Sequence, residues 1–214
     1  MEYKTQAESA DKYRSERYIT PRRWSSYAIQ VREVMLLKPK RVLEIGPGNN
    51  IVTDILRSIG HEVETLDIDS RTKPDHVGSI TDEALIQKLS HKFDLILACE
   101  IFEHLRYEDF LKAIGLLKAA LPVMVMSLPY TEINSKFFHF DLKIPGLNRI
   151  DRTMKVSYRP VEHEFNGEHY WEIGARSYPL ARIAADIENS GWKIRKRFLN
   201  PDNPYHYFFV LKNE

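Results

Sequence analysis

The chain carries a single cysteine, Cys99, so no disulfide can form within it and the fold has to be held by packing. No apolar run is long enough to span a bilayer, and no signal-peptide pattern is present. A cytoplasmic location is the default expectation. Charge of one sign is also missing: 31 Lys and Arg stand against 30 Asp and Glu, a net of +1, which supplies no global field for nucleic acid or an anionic membrane. There is no basic tail and no base-stacking motif to suggest RNA. What is present suits one ordinary globular domain, because 214 residues with 43% apolar content can bury a substantial core.

The chain is organised around RVLEIGPGNN, residues 41–50. Val42, Leu43 and Ile45 read as a buried parallel strand, with Glu44 near its end. Gly46 and Gly48 let the backbone turn sharply and approach a ligand closely. Ile51, Val52, Ile55, Leu56 and Ile59 then follow helical spacing, so a helix N-terminus faces the mouth of the strand. VETLDID at 63–69 reads as the next strand, and Asp67 lies 19 residues past Gly48, where an acid meets a ribose hydroxyl pair. A dinucleotide fingerprint would place a third glycine at Ile51, and Glu44 would repel a pyrophosphate. The acid suits a cationic ligand.

With those residues the sequence resembles the class I S-adenosylmethionine-dependent methyltransferases (type 11/12-like), whose first motif is an acid followed one residue later by G-x-G. LDID at 66–69 looks like the second motif, GSITD at 78–82 the adenine-side turn, and FDLILACEIFEHL at 93–105 the fourth strand and its loop. Asn50 stands where the family often has a further glycine. The resemblance implies a Rossmann-like, doubly wound α/β fold with a mostly parallel seven-stranded sheet, an antiparallel closing strand, and S-adenosylmethionine as cofactor. It also implies roles: Gly46 and Gly48 beside the methionine portion, Glu44 toward its cationic end, Asp67 on the ribose, Ile68, Ser79 and Ile80 around adenine, and Glu100 in the cleft.

Residues 1–17 read as a flexible arm and 18–214 as one domain. Thr20 caps a helix with Pro21 in its first turn and Trp24, Tyr27, Ala28, Val31 and Met35 on one stripe, packed on the sheet edge or serving as a lid. In the lid reading Trp24 and Tyr27, with Arg22, Arg23 and Gln30, contact the methionine tail or the substrate. Beyond the fourth strand Glu100 and His104, if helical, are i,i+4 neighbours, which makes His104 a candidate base; Tyr130, at the end of the fifth strand, is a second. Residues 131–175 form an aromatic-rich insertion after that strand, with FFHF at 137–140 and HEFNGEHYWEIG at 163–174. It reads as a substrate cover or a self-packed hairpin, with His169, Trp171 and Glu172 as substrate contacts. The spacing of His163, Glu164, Glu168, His169 and Glu172 fits no zinc signature, so no metal is expected.

The reaction expected is methyl transfer to a small-molecule acceptor, with no nucleic-acid or membrane partner and an oligomeric state left open. Three alternatives remain: a non-catalytic S-adenosylmethionine-binding protein, an RNA or protein methyltransferase, and an NAD-dependent oxidoreductase, the last disfavoured by Ile51 and Glu44.

Overall fold

A computed structural model describes residues 13, 15–146, 149–165 and 167–213. Most of the expected 1–17 arm lies outside the described residues. The elements in chain order are α1 (Pro21–Leu37), β1 (Arg41–Ile45), α2 (Ile51–Ser58), β2 (Glu62–Asp67), β3 (His76–Val77), α3 (Glu83–Leu89), β4 (Leu95–Cys99), α4 (Tyr107–Ala120), β5 (Val123–Pro129), β6 (Ser135–Leu142), β7 (Ile150–Ser157), α5 (Leu180–Asn189), β8 (Trp192–Leu199) and β9 (His206–Asn213). Seven strands form one sheet in the order β3-β2-β1-β4-β5-β9-β8. β1 to β5 run parallel, and β9 lies antiparallel to both β5 and β8.

Strand alternation explains why the sheet is covered on both faces. Val42, Leu95 and Leu97 join Val34, Val52 and Leu56 on the face of α1 and α2, while Leu43, Ile45, Ile96 and Ala98 join residues of α3, α4 and α5 on the other. β1 and β4 are paired neighbours, and the chain grows outward from them in opposite directions, so a crevice opens beyond their carboxyl ends.

Helix α1 is capped as expected, Thr20 Oγ1 accepting from the Arg23 amide at 3.2 Å. Its buried stripe is not the expected one. Ser26, Tyr27, Gln30, Glu33 and Val34 face inward, while Trp24 and Met35 are exposed. Partners satisfy this polar stripe: Asn200 Nδ2 donates to Ser26 Oγ at 2.9 Å, and Lys196 Nζ meets Glu33 Oε1 at 2.6 Å. The helix packs against α2, β4 and β5, on a face of the sheet and not on its edge.

The insertion forms the two-stranded β6–β7 hairpin, with Phe138 opposite Met154. The hairpin's aromatics are exposed, Phe138 by 56% and Phe140 by 55%, while after it Phe165 stacks on Tyr170 with ring centroids 4.3 Å apart. Lys155 Nζ anchors the hairpin by donating to the carbonyls of Tyr130 and Pro204, at 2.7 and 2.9 Å.

Candidate functional site

A cavity of about 360 Å³ opens at the carboxyl ends of β1, β2 and β4. One half is built by the β1–α2 turn and the exits of β2 and β3: Glu44, Gly46, Gly48, Asp67, Ile68, Ser79 and Ile80 all line it. Gly46 and Gly48 have φ of 65° and 56°, left-handed values that disfavour other residues. A Cβ on Gly46 would stand 2.0 Å from Ile101 Cδ1, and one on Gly48 would sit 3.3 Å from the Tyr13 ring. The turn is therefore a close-approach cradle. Asn50 adopts φ of 61° at the start of α2, so it supplies the left-handed angle in place of a further glycine.

Glu44 is buried and accepts a hydrogen bond from Thr53 Oγ1. Burial pushes its carboxyl up to about 7, and the Thr53 bond only partly offsets this. Asp67 accepts from the Asp69 amide at 2.8 Å, and burial likewise raises its carboxyl. Both acids face the cavity. They suit a ligand with a cationic end and a hydroxyl pair.

The other half follows β4. Glu100 has φ of 56°, a strained value for a side-chain-bearing residue, and the next turn, Phe102–His104, is 3-10 helical. The expected i,i+4 pairing of Glu100 with His104 is therefore not made. Ser127 Oγ donates to Glu100 Oε1 at 2.8 Å, and His206 Nε2 lies 3.5 Å from Oε2. Burial lifts Glu100 to about 7 and holds His206 down to about 3. His104 lies instead beside Glu103 and His169, its ring centroid 5.1 Å from that of His169. Glu103 is fully buried, and burial, reinforced by Glu100, raises its carboxyl well above the usual range.

The other expected contacts divide clearly. Tyr27 lines the cavity, its hydroxyl held by the Tyr18 carbonyl and Asn49, and Arg23 and Gln30 line it with Tyr27. Trp24 is 44% exposed and does not line it. Trp171 is fully buried and does not line the cavity: its indole N–H donates to the Leu105 carbonyl at 3.1 Å and its ring packs on Tyr107 and Phe110. Tyr130 is also buried and outside the lining, beneath Lys155. No described residue of the β6–β7 hairpin lines the cavity; Glu168 and His169, after it, do. Tyr13 and Glu103 also line the wall, and neither is expected there from the sequence. A buried carboxylate in a single 3-10 turn leaves no periodic signal in the sequence.

The sheet order and the turn-plus-acid geometry define the class: this is the fold of the S-adenosylmethionine-dependent class I methyltransferases. A family model described as a methyltransferase domain matches residues 15–194, and the chain belongs to that family, Methyltransf_23. Comparison with curated proteins yields no match. Among solved structures, an S-adenosylmethionine-dependent methyltransferase from Clostridium acetobutylicum aligns with a TM-score of 0.54 at 11% identity, covering 89% of this chain and 90% of that one. The 1,6-didemethyltoxoflavin-N1-methyltransferase of Burkholderia thailandensis, with bound 1,6-didemethyltoxoflavin and S-adenosylhomocysteine, gives 0.56 at 13%, covering 90% and 78%. The glycopeptide N-methyltransferase MtfA, complexed with S-adenosylhomocysteine, gives 0.55 at 16%, covering 86% and 89%.

Proposed function

We propose that the protein transfers the methyl group of S-adenosylmethionine to a small-molecule acceptor. The observation that carries this reading is one cavity lined on one side by Glu44, Gly46, Gly48 and Asp67 and on the other by Glu100, Glu103, His104 and His169. The first set fits the cofactor: the glycine cradle admits a close backbone approach, Glu44 balances an ammonium, Asp67 accepts from ribose hydroxyls, and Ile68, Ser79 and Ile80 border the base. The sulfonium supplies a methyl carbon already bonded to a good leaving group. The protein's part is therefore alignment and exclusion of water. Tyr13, Arg23, Tyr27 and Gln30 enclose the space from above the sheet, and His104 and His169 face it from the acceptor end. A small-molecule acceptor is favoured by the modest cavity and by the balanced charge, which offers no steering toward a polyanion.

Calorimetric titration with S-adenosylmethionine and, separately, NAD tests the reading on the wild type and on Asp67→Ala. Saturable binding of S-adenosylmethionine, weakened tenfold or more in the variant, is expected. No binding by a protein whose circular dichroism shows it folded overturns the proposal, and preference for NAD makes the chain an oxidoreductase.

A further inference from the structure

The acceptor end holds a feature that methyl-donor binding does not use. Glu103, His104 and His169 each bring one ligand atom to a common point, all within 4.8 Å of one another. We propose that these three side chains bind a divalent transition-metal ion at the acceptor end of the cavity.

Two independent observations support a cation. The first is the carboxylate itself: Glu103 is 0% exposed, and neither of its oxygens has a hydrogen-bond partner among the described residues. A buried, unpartnered carboxylate is expensive to fold around, and a bound cation removes that cost. The second is the orientation of the two imidazoles. His104 Nδ1 meets the Glu168 carbonyl at 2.9 Å, an acceptor only, so this nitrogen carries the proton. His169 Nδ1 meets Glu172 Oε1, also at 2.9 Å, and the Tyr205 hydroxyl donates to the same carboxylate oxygen at 2.8 Å. With Nδ1 held in this way, both rings turn Nε2 toward the carboxylate, each 4.0 Å from Glu103 Oε1. A carboxylate or carbonyl behind each imidazole is how proteins orient histidines toward metals.

The spacing is compatible with one ion. A tetrahedral ion with bonds of about 2.1 Å holds its ligand atoms about 3.4 Å apart, so the three side chains have to draw together by about 1 Å, through rotation of the two rings and of the Glu103 carboxylate. Two imidazoles and one carboxylate without thiolate favour first-row transition ions such as Mn²⁺, Co²⁺ or Zn²⁺ over Mg²⁺ or Ca²⁺. Three protein ligands leave a coordination position free, and because all three residues line the cavity, it faces the acceptor space. That an acceptor heteroatom would occupy this position rests on the methyl-transfer reading; the ion site does not.

The test is calorimetry of chelator-treated full-length protein with Mn²⁺, Co²⁺ and Zn²⁺, followed by the visible spectrum of the Co²⁺ form. The expected result is one ion per chain, binding tightening from Mn²⁺ to Co²⁺ to Zn²⁺, and a melting temperature that rises with the ion. Glu103→Gln should weaken binding at least tenfold and abolish the rise while remaining folded, since it removes a buried charge. His169→Asn should weaken binding to the same extent, and His139→Gln on the hairpin should not weaken it. Absence of stoichiometric binding, or binding unaltered by both Glu103→Gln and His169→Asn, overturns the proposal. Titrating S-adenosylmethionine into the same sample separates the two ideas: cofactor binding without metal binding sinks only the ion site, and the converse sinks only the methyl-donor reading.

Discussion

Glu44 is a side chain whose burial costs stability at neutral pH. Its carboxyl, held up to about 7 by burial against an ordinary 4.5, takes a proton more readily in the folded chain than in the unfolded one. The stability contributed by that proton is complete below pH 4.5 and is lost as pH rises through about 7, on the order of 3 kcal/mol in all. Glu44→Gln, which keeps an acceptor for Thr53, should therefore gain stability relative to the wild type as pH rises from about 5 to about 8, while its affinity for S-adenosylmethionine falls. Urea unfolding of both proteins across that range measures the first effect and calorimetry the second. Gly46→Ala places a methyl group against Ile101 at a left-handed backbone angle; a loss of about 1–2 kcal/mol is expected from denaturant melts, with weaker cofactor binding. These positions were legible because glycine spacing and an acid at a strand end are written locally. Glu103 was not, since its burial depends on a left-handed Glu100 that no pattern announces.

Among the elements, α1 departs furthest from its sequence reading. Its larger apolar residues suggested a stripe through Trp24 and Met35, yet the helix turns Ser26 and Glu33 inward, where Asn200 and Asn203 bond the first and Lys196 the second, and Gln30 toward the cavity. Tertiary partners overrode the hydrophobic pattern. Asn200→Ala removes donors to both Ser25 and Ser26, and a loss of about 1–3 kcal/mol is expected from equilibrium unfolding. Cofactor affinity should fall with it, because Arg23, Tyr27 and Gln30 ride on the same helix. The β6–β7 segment forms the hairpin that was one of its two readings; its strands carry the exposed aromatics outside the cavity lining, and the segment after them returns to it.

At the scale of the whole molecule, Trp171 joins the end of the insertion to α4 through Tyr107, Phe110 and the Leu105 carbonyl. Trp171→Ala should cost about 3–5 kcal/mol and shift one cooperative transition, visible as coincident fluorescence and circular dichroism melts. Separate transitions would show that the segment after the hairpin folds by itself. The mostly parallel seven-stranded sheet with its antiparallel closing strand was implied by the motifs' resemblance, whereas the meeting of His104 with His169 required the chain to return from a distant segment, which no spacing records.

The division of the cavity wall has a consequence for how such a chain can change over generations. The residues lining the cavity before α3 lie between positions 13 and 80, and those after it from position 97 onward; on the proposed reading the first group serves mainly the donor and the second the acceptor. Substitutions that remodel what is methylated need not touch what supplies the methyl group. Recombination between relatives with a junction in α3 would exchange one wall and inherit the other whole, so new acceptors are within reach by steps that leave donor binding intact.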